Sequence, residues 1–269
     1  MIRVGWLQDE TYNGGAEISS QTLRQQAPST VRITDIPAWQ KSVEAELYDV
    51  FVVSNCTQYT GEIIQFLQRK PVVKVLWDMY PHGDTHLRKW LLSNAHLVAV
   101  TPKQVELLNL PKTTELMPSP IDYSAFKDYL CTQRVYDDNH MCYFGALFPH
   151  KLGGAIHYAE KEAKYLHVYG QGDWHGLRAY DHVIYHGALK PTEVPKEMSK
   201  YQVLVHMPTI FDPCPRVILE AWYLGLQVIT NDMQGATWWI ENDPKALFDA
   251  PYRFWDYVMM VKGKETDAN

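Results

Sequence analysis

Neither a Gly-x-x-x-x-Gly-Lys phosphate loop nor a Gly-x-Ser-x-Gly nucleophile turn occurs in the 269 residues. Phosphotransferase and serine-hydrolase chemistry therefore lack their signatures. Cysteine is scarce: Cys56, Cys131, Cys142 and Cys214, with no paired spacing of the kind that clips a metal. They read as thiols of a reducing compartment. No apolar run approaches the ~20 residues of a membrane span. Met1-Ile2-Arg3-Val4 enters a strand directly, with no leader-like segment. These absences predict a cytoplasmic chain without a transmembrane segment, leaving peripheral membrane contact open. Basic residues are outnumbered, 25 against 31 acids, for a net charge of −6. That argues against nucleic acid as a partner. Repeats and low-complexity tracts are absent too.

What the chain does have is apolar mass, with 46% hydrophobic and 13% aromatic residues. That suffices for two domains of ordinary size. Apolar runs at 2–7, 31–36, 50–54, 72–76 and 97–100 read as strands, with a last short one at 116–117. Helical patterns at 61–68, 85–92 and 103–108 fall between them. A fresh strand begins at Met141, followed by strands at 166–169, 183–186, 203–207 and 226–230 and a helix at 192–199. Such alternation predicts an α/β chain with doubly wound, mostly parallel sheets. An aromatic amphipathic stretch, 251–261, predicts a last helix, and the polar tail KGKETDAN a loose end.

The most informative stretch is 210–232, IFDPCPRVILEAWYLGLQVITND. Pro215 suits a first helical turn and Gly225 the residue past the helix end. The helix between them is apolar on nearly every side, so it is expected to be buried. Two charges interrupt it, Arg216 and Glu220, and Asp212 precedes it. A helix start offers free N–H groups and partial positive charge to a diphosphate. Glu220 lies about 7 Å along the axis, at ~1.5 Å rise per residue, where it could accept hydrogen bonds from a ribose. The alternative is an exposed Arg–Glu helix pair with a loop acid. At the chain start, Gly14-Gly15 follows the first strand and opens a helix, an arrangement that lets backbone N–H groups approach an anion. His82-x3-His86 and His182-x3-His186 could suggest a metal. The first pair sits in a loop without an evident third ligand, and the second straddles a strand, so no metal site is expected.

The segment from Val203 to Asp232 resembles the donor-site segment of the family 4 retaining glycosyltransferases. The likeness rests on the acid, the Pro, the apolar run to a Glu, the Gly and the strand that follows. It departs from the family at Asp212, a Glu there, at Cys214-Pro215, where Phe-Gly is usual, and at Arg216, where an apolar residue is usual. The resemblance implies a GT-B-like fold, two Rossmann-type domains facing each other across a cleft. PSPIDYSAF (118–126) is similar to the segment that closes the family's first domain. The implied domains are 1–126 on the acceptor side, 127–250 on the donor side, and a final helix at 251–269 packing back on the first. Residues 127–140 would be the interdomain connection.

The same resemblance implies the function, a hexosyltransferase drawing on a nucleotide-sugar and retaining configuration. GDP-mannose is the first-choice donor, and the acceptor is an unknown sugar, lipid or protein. The nucleotide-sugar is a substrate, so no cofactor is implied. The chain contains no Asp-x-Asp, the marker of metal-dependent sugar transferases. The implied catalytic residues are Asp212, which orients the sugar, and Lys151, which pairs with donor phosphate. The implied donor contacts are Gly14, Gly15, Asp78, Gly145, Gly187, Leu189, Cys214, Pro215, Arg216, Val217 and Glu220. The family's Gly-Arg-Leu is Gly145-Ala146-Leu147 here, so Arg216 either replaces the missing Arg or faces solvent. Where the family has His-Asp after a strand, this chain has Trp77-Asp78, and Asp78 either points into the cleft or caps a turn. Residues 233–237 would form a further loop over the cleft. These motifs fall at the C-terminal ends of predicted strands, where α/β sheets bind ligands. The rival reading is a catalytically degenerate nucleotide-sugar binding protein.

Overall fold

The computed structural model describes residues 1–8, 14–37, 39–40, 42–54, 59, 61–79, 85–93, 96–173 and 175–263. Most of the loop after the first strand, the His82–His86 pairing and the 264–269 tail lie outside them. Contacts divide the chain into two units, Met1–Pro120 with Glu241–Asn269, and Ile121–Ile240.

The first unit holds six strands: β1 (Ile2–Leu7), β2 (Val31–Asp35), β3 (Val50–Ser54), β4 (Val72–Leu76), β5 (Leu97–Ala99) and β6 (Glu115–Leu116). All pairs are parallel, in the order β2-β1-β3-β4-β5-β6. β3 and β4 are buried along their whole length. Strands covered on both faces read as continuous Val-rich runs, as these do. Helices α1 (Gly15–Gln25), α2 (Ile64–Leu67), α3 (Thr85–Leu92) and α4 (Pro102–Leu107) make the crossovers. α4 begins at Pro102, behind Thr101, whose Oγ1 accepts from Gln104 N at 3.3 Å.

The second unit contains β7 (His140–Phe144), α5 (Pro149–Lys161), β8 (Tyr165–Tyr169), β9 (Val183–Gly187), α6 (Val194–Met198), β10 (Val203–His206), α7 (Arg216–Tyr223) and β11 (Gln227–Thr230). Its sheet is also all-parallel, in the order β11-β10-β7-β8-β9. The core between this sheet and α5 includes Met141, Leu152, Ala155, Leu166, Val168 and Val205. On this sheet three rings of neighbouring strands join in a row. His140 Nδ1 lies 2.9 Å from His167 Nε2, and His167 Nδ1 lies 2.8 Å from His186 Nε2. Burial, with His186 and His140 on either side, lowers the His167 pKa to about 4. His182 instead points its Nε2 to Ile156 O at 3.3 Å, so it does not pair with His186.

Several expectations need revision. The chain divides after Pro120, not at 126/127. Tyr123 and Phe126 pack their rings on Tyr223 of α7, with centroids 4.5 and 6.4 Å away, which draws 121–126 into the second unit. The 127–140 stretch is likewise tied to that unit. Arg134 Nη1 donates to Ser199 O at 2.8 Å, and Tyr136 N to Lys200 O at 2.9 Å. Residues 236–242 are a helix, α8 (Ala236–Asn242). The last helix, α9 (Pro244–Gly263), starts seven residues before the expected 251 and carries Pro251 inside it. Buried Phe254 and Trp255 hold it against Trp6, and Trp255 Nε1 donates to Leu23 O at 2.8 Å. Packing of this aromatic face outweighs the proline penalty.

Candidate active site

The strand order of the second sheet reverses between β7, which leads to β8 and β9 on one side, and β10, which leads to β11 on the other. In doubly wound sheets ligands bind beyond the carboxyl ends of the strands at such a reversal. The segments that leave these two strands, 145–151 and 207–216, build the candidate site.

Gly154 sets their approach. A Cβ there would stand 2.1 Å from Met207 O, so only glycine lets α5 lie on the end of β10. Thr209 N donates to His150 O at 2.7 Å and closes the seam. Lys151, on the first turn of α5, thereby reaches Asp212, with Nζ 3.1 Å from Oδ2. Backbone bonds pin Asp212 on the other side: Asp212 N donates to Met233 O at 2.9 Å, and Gly235 N donates to Asp212 O at 3.1 Å. The 233–237 segment is thus a bridge partner of Asp212 and the lead into α8, in place of the loop expected over a cleft. Buried Gln234 braces it, Nε2 donating to Thr237 Oγ1 at 2.8 Å. Burial pushes the Asp212 carboxyl up, but the His206 ring and the Lys151 ammonium outweigh it and hold its pKa at about 2. The group is therefore a carboxylate at any working pH.

α7 begins one position later than expected. Pro215 is the N-cap, with φ −63° and ψ 115°, and brings no side-chain acceptor to the first turn. Val217 lies half-buried in that turn, and Cys214 is buried just before it. At the other end Gly225 has φ +74°, with Gly225 N donating to Trp222 O and Leu226 N to Ala221 O, both at 2.9 Å. That is a Schellman stop. Arg216 and Glu220 are not an exposed helix pair. Arg216 Nη2 lies 3.2 Å from Glu220 Oε1, and each side chain is only 11% exposed. Burial raises the Glu220 pKa above its ordinary value, against the opposing pull of Arg216.

Gly145 follows β7, Gly187 ends β9, and Leu189 lies two residues beyond it. Gly145 N donates to Tyr169 O at 3.0 Å, and Gly170 N donates to Gly187 O at 3.0 Å, so these strand-end loops are zipped together. Gly14, Gly15 and Asp78 belong to the first unit. Gly14 is the N-cap of α1, without a side-chain cap. The carbonyl of Asp78 accepts from Gln104 Nε2 at 3.2 Å. Trp77, in place of the family's His, is buried and donates Nε1 to Ser54 Oγ at 2.7 Å and Ser20 Oγ at 3.0 Å. Among the described residues no group of three or more His, Cys, Asp or Glu is arranged to hold a metal. No described helix is long and apolar enough to cross a membrane.

Residues 133–255 match the family model described as glycosyl transferases group 1. The matched segment covers α5, β10, Asp212 and the whole of α7. Solved structures match over nearly the whole chain. HepE from Anabaena, in complex with UDP and glucose, superposes with a TM-score of 0.65 at 14% identity, covering 100% of this chain and 99% of that one. AviGT4, a glycosyltransferase involved in avilamycin A biosynthesis, has a TM-score of 0.65 at 13% identity, covering 99% and 96%. Sucrose-phosphate synthase from Thermosynechococcus elongatus has a TM-score of 0.68 at 14% identity, covering 97% and 92%. At such identities the likeness establishes the fold, that of GT-B glycosyltransferases. No curated protein matches by sequence.

Sequence reasoning missed His206, whose Nε2 lies 3.5 Å from Asp212 Oδ2, and the role of Gly154. The second had a signal, because two adjacent glycines, Gly153-Gly154, inside a helix invite the question of what approaches them.

Proposed function

We propose that this chain is a metal-independent retaining hexosyltransferase that moves a hexose from a nucleoside-diphosphate sugar to an acceptor hydroxyl. The observation that carries it is the pair of acid–cation contacts around the start of α7, the half-exposed Lys151–Asp212 and the largely buried Arg216–Glu220, where the strand order of the second sheet reverses. Within each contact the acid and the cation satisfy each other, at 3.1 and 3.2 Å. A nucleotide-sugar offers both what they need, a diphosphate for the cations and hydroxyls for the acids. Lys151, Arg216 and the α7 N-terminus would then stabilise charge on the departing diphosphate. Glu220 would accept from the ribose hydroxyls. Asp212 would orient the hexose and favour positive charge developing at the anomeric carbon.

The resemblance puts GDP-mannose first as donor, whereas HepE was seen with UDP and with UDP-glucose. A calorimetric panel of GDP-mannose, UDP-glucose and ADP-glucose separates these. One donor is expected to bind with Kd in the range of about 1 μM to 1 mM. No heat with any of them would contradict the proposal.

A further inference from the structure

His206 is the last residue of β10, and the donor contacts proposed above leave its side chain without a task toward the ligand. The residue is 3% exposed, and among the described residues neither Nδ1 nor Nε2 has a hydrogen-bond partner. Folded chains rarely leave a buried polar group in that condition, because its lost hydration goes uncompensated. The backbone of His206 is fixed. It pairs with Thr230 of β11, and Thr230 Oγ1 donates to His206 O at 2.6 Å. The Tyr143 ring runs within 8° of parallel to the imidazole, 6.1 Å between centroids. The ring is therefore held on a rigid strand end with Nε2 toward Asp212.

Two donors face one oxygen there. Lys151 Nζ is 3.1 Å from Asp212 Oδ2, and His206 Nε2 is 3.5 Å from the same atom. They differ in freedom. The Lys151 side chain is 32% exposed on a flexible four-carbon stem, and His206's is 4% exposed. An anionic ligand can draw the lysine away, but not the histidine. Asp212, 12% exposed, would then be a buried carboxylate without its cation.

We propose that His206 is the positioning residue of Asp212: when a donor phosphate takes Lys151, His206 Nε2–H closes on Oδ2 and keeps the carboxylate ionised and aimed at the sugar. This rests on the donor reading above. The step forms one hydrogen bond as another is exchanged, and no covalent bond changes. It needs only the tautomer that carries its proton on Nε2.

Two variants and a spectroscopic measurement test it. His206→Phe keeps a ring but has no donor. His206→Gln carries an amide N–H at similar reach. With the donor that binds in the panel, His206→Phe is expected to lose about 10- to 100-fold in kcat, the cost of a misplaced catalytic group. Its donor KM should stay within about threefold. His206→Gln should recover most of the loss. A merely structural histidine would give the opposite, with Gln no better than Phe, and that result overturns the proposal. The second measurement needs no turnover and survives a failure of the donor reading. Nitrogen-15 NMR of histidine-labelled Lys151→Met should show a hydrogen-bonded Nε2–H on His206 that wild type lacks, in the absence of any ligand. An unchanged His206 ring in that variant overturns the proposal even if every nucleotide-sugar is refused.

Discussion

Asp212→Asn is expected to lower hexosyl transfer by about 10²- to 10³-fold, the range typical of removing one preorganised electrostatic contact to a transition state. Donor affinity should change by less than about threefold, so the loss falls in kcat. The substitution keeps the volume of a side chain whose backbone is pinned by Met233 and Gly235, so the local structure should persist. It removes the negative charge that Lys151 and His206 share at Oδ2. Lys151, released from its acid, remains available to the diphosphate, which is why binding survives. Steady-state transfer with the donor from the panel, beside calorimetry on the same variant, checks both halves. Transfer retained within about tenfold would contradict the role given to Asp212. A wild-type chain that binds a donor and transfers nothing would select the binding-protein reading.

Arg216→Met should cost stability in the ligand-free protein, about 3–5 kcal/mol at neutral pH, because it leaves the Glu220 carboxylate buried without its cation. The sign of the pH dependence follows from Glu220. Its carboxyl already sits above the ordinary 4.5, through burial, and Arg216 is the group pulling it down. Without Arg216 the folded state holds that proton over a wider range in which the unfolded chain has released it. The deficit should therefore be small below about pH 4.5, grow as pH rises, and level off above the raised folded value. Urea unfolding at pH 4.5 and 7.5 measures it. The double variant Arg216→Met with Glu220→Leu should regain much of the loss, since two apolar groups need no compensation. A deficit under about 1 kcal/mol, typical of an exposed pair, would contradict the buried-pair description.

Much of this architecture was legible because it follows from pattern. The Val-rich runs of β3 and β4 mark parallel strands covered on both faces. Asp212, Arg216 and Glu220 stood out as charges in an otherwise apolar helix and its approach. The burial of Arg216 and Glu220 was not legible, since a charged pair one turn apart looks the same on a solvent face as inside a site. The division of the chain was misplaced because a linker-like composition at 127–140 hid the ties that the Arg134 side chain and the Tyr136 backbone N–H make to distant carbonyls. Pro251 misled in the familiar way, marking a helix start where tertiary packing carries the helix through it. His206 had no local signature. A lone histidine at the end of an apolar strand gains meaning only from Asp212, six residues on, folding back toward it.

The central claim is that a nucleoside-diphosphate sugar sits at the start of α7, with its diphosphate on Lys151 and Arg216 and its ribose on Glu220. A crystal structure of the protein with the donor identified by calorimetry tests this most directly. The account predicts that Glu220 leaves Arg216 for the ribose hydroxyls while Lys151 turns from Asp212 to phosphate. A nucleotide bound elsewhere, with both acid–cation contacts intact, would contradict it.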